Sequence, residues 1–311
     1  MINSSWKTDN YKFVGKSFDV AYADRLNKLS PVIGEVNAHS IDYELTGTGG
    51  YGELQPYVGR QQVEGSMRRA FKTIITPQEY TLQIPVDYKA AKVDKLGETR
   101  RVGAKLGDSA SMSVYLRVLR MFANAWNPAF LGGDGKPWAA ADHPVASLGS
   151  SGRSYVPDPD AGTYSNSGTN AFSVAAITEA QAAANRFVTP DGLPFLCDYD
   201  TVLVSPELES KAKQFFGENA KLLPGTDLND ANPVGDMKYI VMGGGKDGFT
   251  AKQWAICDRR LMKEIVNIVY NTRPTVLQTE LDNPLVDVYT AYVDYGVGWG
   301  DARQIFFQNP A

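Results

Sequence analysis

Three glycines spaced Gly243-x-Gly245-x-x-Gly248 stand directly behind the apolar run Ile240-Val241-Met242. By letter this is the loop that cradles a dinucleotide pyrophosphate. That chemistry also requires a helix N-terminus immediately after the loop, to receive the phosphates, and an acidic residue about 20 positions on. The residues that follow, Phe249 to Ile256, pattern as a second strand, so the spacing predicts a hairpin turn. Gly135-Lys136 lacks both the earlier glycine and the following Ser or Thr of a P-loop. The chain has only two histidines, His39 and His143, and no C-x-x-C or H-x-x-x-H spacing to assemble zinc ligands. His143, set between Asp142 and Pro144, reads as a turn residue. Ser205 opens Ser205-Pro206-Glu207-Leu208, an N-cap followed by proline at the first helical position, without the glycines of a nucleophile elbow. Cys197 and Cys257 sit in apolar strand-like stretches and read as buried free thiols. No catalytic, cofactor or metal constellation emerges, and the chain does not read as an enzyme.

The elements that would have to position such residues point elsewhere. The stretch from Val86 to Trp126 reads as one long helix, with Val102, Leu106, Ala110, Val114, Val118, Phe122 and Trp126 recurring every four residues. At ~1.5 Å per residue it would span roughly 60 Å, more than a compact domain needs. Gly97, Gly103 and Gly107 each cost up to about 1 kcal/mol in a helix interior, so its first half is expected to bend or break. It carries eight basic and four acidic residues, a local +4 in a chain of net −4. A solvated face explains that charge; so does a face turned toward a polyanion. Net −4 excludes a generally basic nucleic-acid binder, no apolar run reaches the ~18 residues of a membrane span, and Met1 to Lys7 lacks the apolar core of a signal peptide. Action or assembly in the cytoplasm is the expectation.

Residues 1–40 are polar and weakly patterned apart from Val20 to Leu29, and read as an arm that drapes over something else. Tyr43 and Leu45 alternate into a glycine-rich tip at 47–52, and a strand-like return leads through Ile74 and Ile84 into the long helix. This two-stranded excursion has no core of its own, so it is expected to lie on a neighbour. A Ser/Gly/Asn-rich loop at 147–170 precedes alternating helices and strands to about residue 257, an α/β layer; from Glu264 to Phe307 strands dominate and are expected to finish the sheet beside the long helix. Tyr43, Tyr51 and Tyr57, with Tyr289, Tyr292 and Tyr295, suit contact surfaces, although core packing explains most of them.

The order of arm, hairpin, basic spine, α/β layer and returning strands resembles the major capsid proteins of tailed bacteriophages, the Hong Kong 97 fold, with a local texture similar to Mu-like head subunits. The resemblance is carried by Phe71 to Gly107, by Asp134-Gly135-Lys136-Pro137-Trp138 with Ala141-Asp142-His143-Pro144, and by Phe172 to Phe216. It implies an α+β subunit with an N-arm (1–40), an extended loop (41–75), a peripheral domain holding the spine (76–144), an axial domain (145–262) and strands returning to the peripheral domain (263–311). It further implies pentamers and hexamers in an icosahedral shell around double-stranded DNA, in the virion, with scaffolding, portal and decoration proteins as partners and no membrane. On that reading scaffolding is separate or already cleaved, Tyr43, Tyr51 and Tyr57 contact neighbouring copies, and Lys95, Arg100, Arg101 and Lys105 face the DNA. Some members cross-link a loop lysine to an asparagine; Lys72 and Asn283 have the right types, but no spacing assigns them. A nanocompartment shell of the same fold and a nucleotide-dependent enzyme using the Gly243 to Gly248 turn are the alternatives.

Overall fold

The computed structural model describes residues 4–26, 28–48, 69–87, 89, 98–148, 155–157, 162–189, 193–217, 232–243, 245–280 and 286–311. Along the chain run helix α1 (Ser4–Leu26) and strands β1 (Gly34–Asn37), β2 (Tyr43–Thr48), β3 (Arg69–Ile75) and β4 (Gln78–Asp87), then the spine helix α2 (Glu98–Ala123). Five short strands follow, β5 (His143–Pro144), β6 (Ala146–Leu148), β7 (Tyr155–Pro157), β8 (Thr163–Tyr164) and β9 (Ser167–Gly168). Next come α3 (Val174–Ala184), β10 (Thr201–Val204), α4 (Glu209–Phe215), β11 (Lys238–Val241), β12 (Trp254–Cys257) and α5 (Arg259–Ile265). Strands β13 (Asn267–Glu280), β14 (Val286–Gly298) and β15 (Ile305–Gln308) end the chain.

The four-residue recurrence in the spine forms one buried stripe: Val102, Leu106, Ala110, Val114, Val118 and Phe122 are all buried. The helix does not begin at Val86. Val86 and Asp87 belong to β4, which pairs with β14 from Gln78 opposite Tyr295 to Asp87 opposite Val286. The alternation Tyr80, Ile84, Val86 sets those side chains against the sheet's packed face, and ladder hydrogen bonds decide the conformation there. Gly103 and Gly107 are not breaks; both lie within α2. A Cβ on Gly103 would come 2.4 Å from the Val14 carbonyl oxygen, and one on Gly107 2.4 Å from that of Phe18. The glycines let α1 lie directly on the spine.

Residues 4–26 are therefore a helix seated on the chain's own spine rather than an arm draped elsewhere. Its buried stripe is Val14 and Phe18, flanked by half-buried Tyr11 and Tyr22, while Val20 is 77% exposed. The Tyr11 hydroxyl donates to the Val276 carbonyl at 2.8 Å, and the Tyr22 and Tyr270 hydroxyls are 2.7 Å apart. Two of the four stripe positions are tyrosines, which is why the pattern looks polar by letter.

Two sheets flank the spine. One has the order β1-β13-β14-β4, with β1 parallel to β13 and the remaining pairs antiparallel. The other has the order β11-β10-β12-β15-β9. Both contribute to one core around Val114, Val118, Leu119 and Phe122, which meet Tyr270 and Val293 from the first sheet and Leu203, Ala255 and Phe307 from the second. The opposite face of the second sheet, with Val202, Val204, Trp254 and Ile256, packs on α3 through Ile177 and Ala180. Strands β10 and β12 are buried on both faces, which explains their unbroken apolar runs. Of the strands after residue 263, β13 and β14 lie in the first sheet and β15 in the second. The Gly243 to Gly248 turn does not close a hairpin, because β10 lies between β11 and β12: β10 pairs parallel with β11 and antiparallel with β12.

Candidate assembly surfaces and a buried polar node

The hairpin of β2 and β3 is a two-stranded antiparallel ribbon running from Tyr43 opposite Ile75 to Thr48 opposite Arg69. Lys72 and Glu44 form an ion pair on it. Tyr43 is half-buried and packs inward on Ala38, Ile75 and Val269 of its own chain. Tyr51, Tyr57 and Asn283 lie outside the described residues, as does Lys95. Arg100 belongs to α2, with its side chain outside the described set. Arg101 and Lys105 are exposed one helical turn apart on the spine. Of the late tyrosines, Tyr289 and Tyr295 are core residues at 2% and 3% exposure, and the half-buried Tyr292 donates to Glu79 at 2.9 Å.

Farther along the spine, Arg120 holds Asp247 through Nε at 2.9 Å and a terminal nitrogen at 3.2 Å, and the Tyr115 hydroxyl donates to the Gly243 carbonyl at 2.9 Å. The Arg120 guanidinium, by hydrogen bond and charge, keeps the Asp247 carboxyl below its ordinary value. After a single 3-10 turn at Gly245–Asp247 the chain passes to Phe249, whose ring meets Phe122 edge-on. Among the described residues no α-helix directly follows the turn to receive a pyrophosphate; its contacts through Gly243 and Asp247 clamp it to the spine.

His143 is fully buried in β5 and is not a turn residue. The Asn166 side-chain amide donates to the carbonyls of Trp138 at 2.7 Å and Ala302 at 3.0 Å, which leaves its oxygen to accept from the Ala140 amide at 3.0 Å. That oxygen is also 3.1 Å from His143 Nε2, so Nε2 is the donor; Nδ1 lies 2.6 Å from the Asp134 carboxylate, and Tyr164 stacks on the ring. Nearby, burial would push the Asp301 carboxyl up, but the Arg303 guanidinium more than offsets it and the net direction is down. Arg303 also donates to the Val188 carbonyl and lies over the Phe195 ring. Asn166 spends its whole amide on protein partners, and the node joins the loop after the spine to the second sheet. Sequence offers one signal for it: Asn166 is a polar residue just ahead of an edge strand.

Cys197 and Cys257 are free and buried, and burial pushes both thiols well up. Alkylation with iodoacetamide at pH 8 is expected to leave both unlabelled in the folded protein and to label both in urea. Labelling of either under native conditions would contradict this.

A long helix carrying one sheet on each side of a shared core, with a two-stranded ribbon leaving its base, is the architecture of a Hong Kong 97-type capsid subunit. The chain belongs to the phage capsid protein family, whose sequence model matches residues 70–306. It is similar to the procapsid of bacteriophage JBD30, with a TM-score of 0.55 at 12% identity over 100% of this chain and 77% of that one. It is also similar to a virus-like particle from Pyrococcus furiosus, with a TM-score of 0.53 at 7% identity over 96% and 99% of the two chains. No curated protein matches it in sequence. Membership in a phage family favours the head subunit over the nanocompartment shell.

Proposed function

We propose that this capsid protein assembles as pentamers and hexamers into an icosahedral shell around double-stranded DNA, with assembly in the host cytoplasm and with scaffolding, portal and decoration proteins as partners. The observation that carries this is the family match over residues 70–306, which takes in the spine and nearly all of both sheets. Contacts of such shells bury thousands of Å² and are satisfied only by further copies. Expression with its scaffolding partner, or alone, is expected to give megadalton particles by negative-stain microscopy and sedimentation. Monomers and small oligomers alone would count heavily against it.

Within that shell, Tyr43, Tyr51 and Tyr57 mark the hairpin that meets neighbouring copies, and Lys95, Arg100, Arg101 and Lys105 mark the face turned to DNA. The exposure of Arg101 and Lys105 supports the second assignment. Such a face would hold phosphate without reading sequence, and its contribution would fall with salt. Charge reversal at Arg100 and Arg101 is expected to reduce packaged DNA at least twofold while leaving the yield of empty shells unchanged. Equal DNA content in variant and parent, measured after nuclease treatment, would refute the DNA-facing assignment alone.

A further inference from the structure

The root of the hairpin is gripped by a loop that also carries half of the buried histidine pair. Residues 131–137, between α2 and β5, fold back on themselves: Leu131 bridges Pro137, and the Gly132 amide donates to the Lys136 carbonyl at 2.8 Å. The loop lies directly on β3. The Gly133 amide donates to Thr73 Oγ1 at 3.1 Å, and a Cβ on Gly133 would come 2.5 Å from the Lys72 carbonyl oxygen. The next residue, Asp134, is itself almost fully buried and places its carboxyl 2.6 Å from Nδ1 of His143. The grip on the hairpin and the grip on the ring thus sit on adjacent residues.

The proton count of the pair follows from its partners. Asn166 gives its amide hydrogens to two carbonyls, so its oxygen only accepts and His143 Nε2 must carry a hydrogen. A hydrogen must also lie between Nδ1 and the Asp134 carboxyl, because two bare lone pairs 2.6 Å apart repel. An ionised Asp134 beside a neutral imidazole supplies only one of these two hydrogens. The held pair therefore keeps one proton more than that, on Nδ1 or on the carboxyl. The other charged groups around the ring are already paired, Asp142 with Lys136 and Asp301 with Arg303. Tyr164, whose phenol burial keeps neutral, stacks on its face.

We infer that the His143–Asp134 pair is a proton-dependent latch on the hairpin: with the extra proton, loop 131–137 holds β3, and without it the loop lets go at Gly133. A released imidazole drops its second proton above the ordinary histidine value of about 6.5. Each release then sheds one proton, so the released fraction rises with pH, by up to about tenfold per unit. Ile75 stays packed on Ala38 and Val269, so β3 loosens without leaving the body. The latch belongs to the single subunit and is independent of the shell reading above.

Hydrogen exchange of the full-length subunit, read by mass spectrometry and corrected for the intrinsic rate, tests this from about pH 6.5 to about pH 8.5. Protection of residues 69–75 is expected to fall roughly tenfold or more over that range, while protection of β14 holds constant. Asp134→Asn separates a latch from a merely structural pair. Its side-chain oxygen still accepts from the Lys136 amide, and its nitrogen donates to Nδ1 of a neutral ring. The variant should therefore match the parent at the low end of the range and stay flat to the high end. A slope driven by the exposed His39, ahead of β2, would survive that substitution. A flat parent profile overturns the inference, as does a slope that Asp134→Asn keeps or that β14 shares. If Asp134→Asn does not fold, the parent's contrast between β3 and β14 decides.

Discussion

Replacing Asn166 with alanine is expected to cost about 4 kcal/mol of subunit stability, or to leave no soluble protein. The side-chain amide meets four buried partners: the Ala140 amide, His143 Nε2 and the carbonyls of Trp138 and Ala302. Leaving a buried polar group unpaired costs ~1–3 kcal/mol, and here several lose their partner at once. Asn166 is 0% exposed, so its four partners have no contact with bulk solvent through it in the native state. Ser165→Ala next to it removes two local hydrogen bonds, one to the Ser167 carbonyl and a longer one from the Ser167 amide, at a half-buried position and should cost about 1 kcal/mol. Urea unfolding of the dissociated subunit measures both. An Asn166→Ala loss no larger than that of Ser165→Ala would mean the node is ornamental.

The second large effect has a sign that local and tertiary arguments dispute. By helix propensity alone, Gly107→Ala should stabilise α2 by up to ~1 kcal/mol. The added Cβ would instead stand 2.4 Å from the Phe18 carbonyl oxygen and 3.1 Å from the Ala21 Cβ. Neither atom is the far end of a flexible side chain, so α1 must shift bodily, and the expected net change is a loss of about 2 kcal/mol. Limited proteolysis should then cut within α1 faster than in the parent. Gly15→Ala is the control: it sits inside α1, where an added Cβ would meet nothing within 4 Å, so propensity acts unopposed and stability should rise. If both substitutions stabilise, α1 does not rest on the spine as described.

These two cases show where reading the chain by letters works and where it stops. The spine is legible because its period is carried by six aliphatic and aromatic residues whose burial needs only one helical face. Its start is not, since Val86 and Asp87 are held by a strand some 200 residues later in the chain. Gly103 and Gly107 look like helix breakers until the partner that needs the missing side chains is known, and that partner is α1, nearly ninety residues earlier. The first helix hides for a related reason: Tyr11 and Tyr22 serve as apolar surface along the ring and as donors or acceptors at the tip, a division of labour visible only in contact. His143 is similar, because a lone histidine before proline looks like a turn until Asp134, Asn166 and Tyr164 close around it.

By itself the sequence determined the class of molecule: an α+β chain with a long amphipathic helix, a ribbon with too little core of its own and two buried thiols. Local periodicity and composition suffice for that, because they depend on neighbours within a few positions. Only the tertiary structure decided that α1 covers the spine, that β10 separates β11 from β12, and that Asn166 ties three segments together. Each of those depends on pairings between residues tens to hundreds of positions apart, which no short-range pattern encodes.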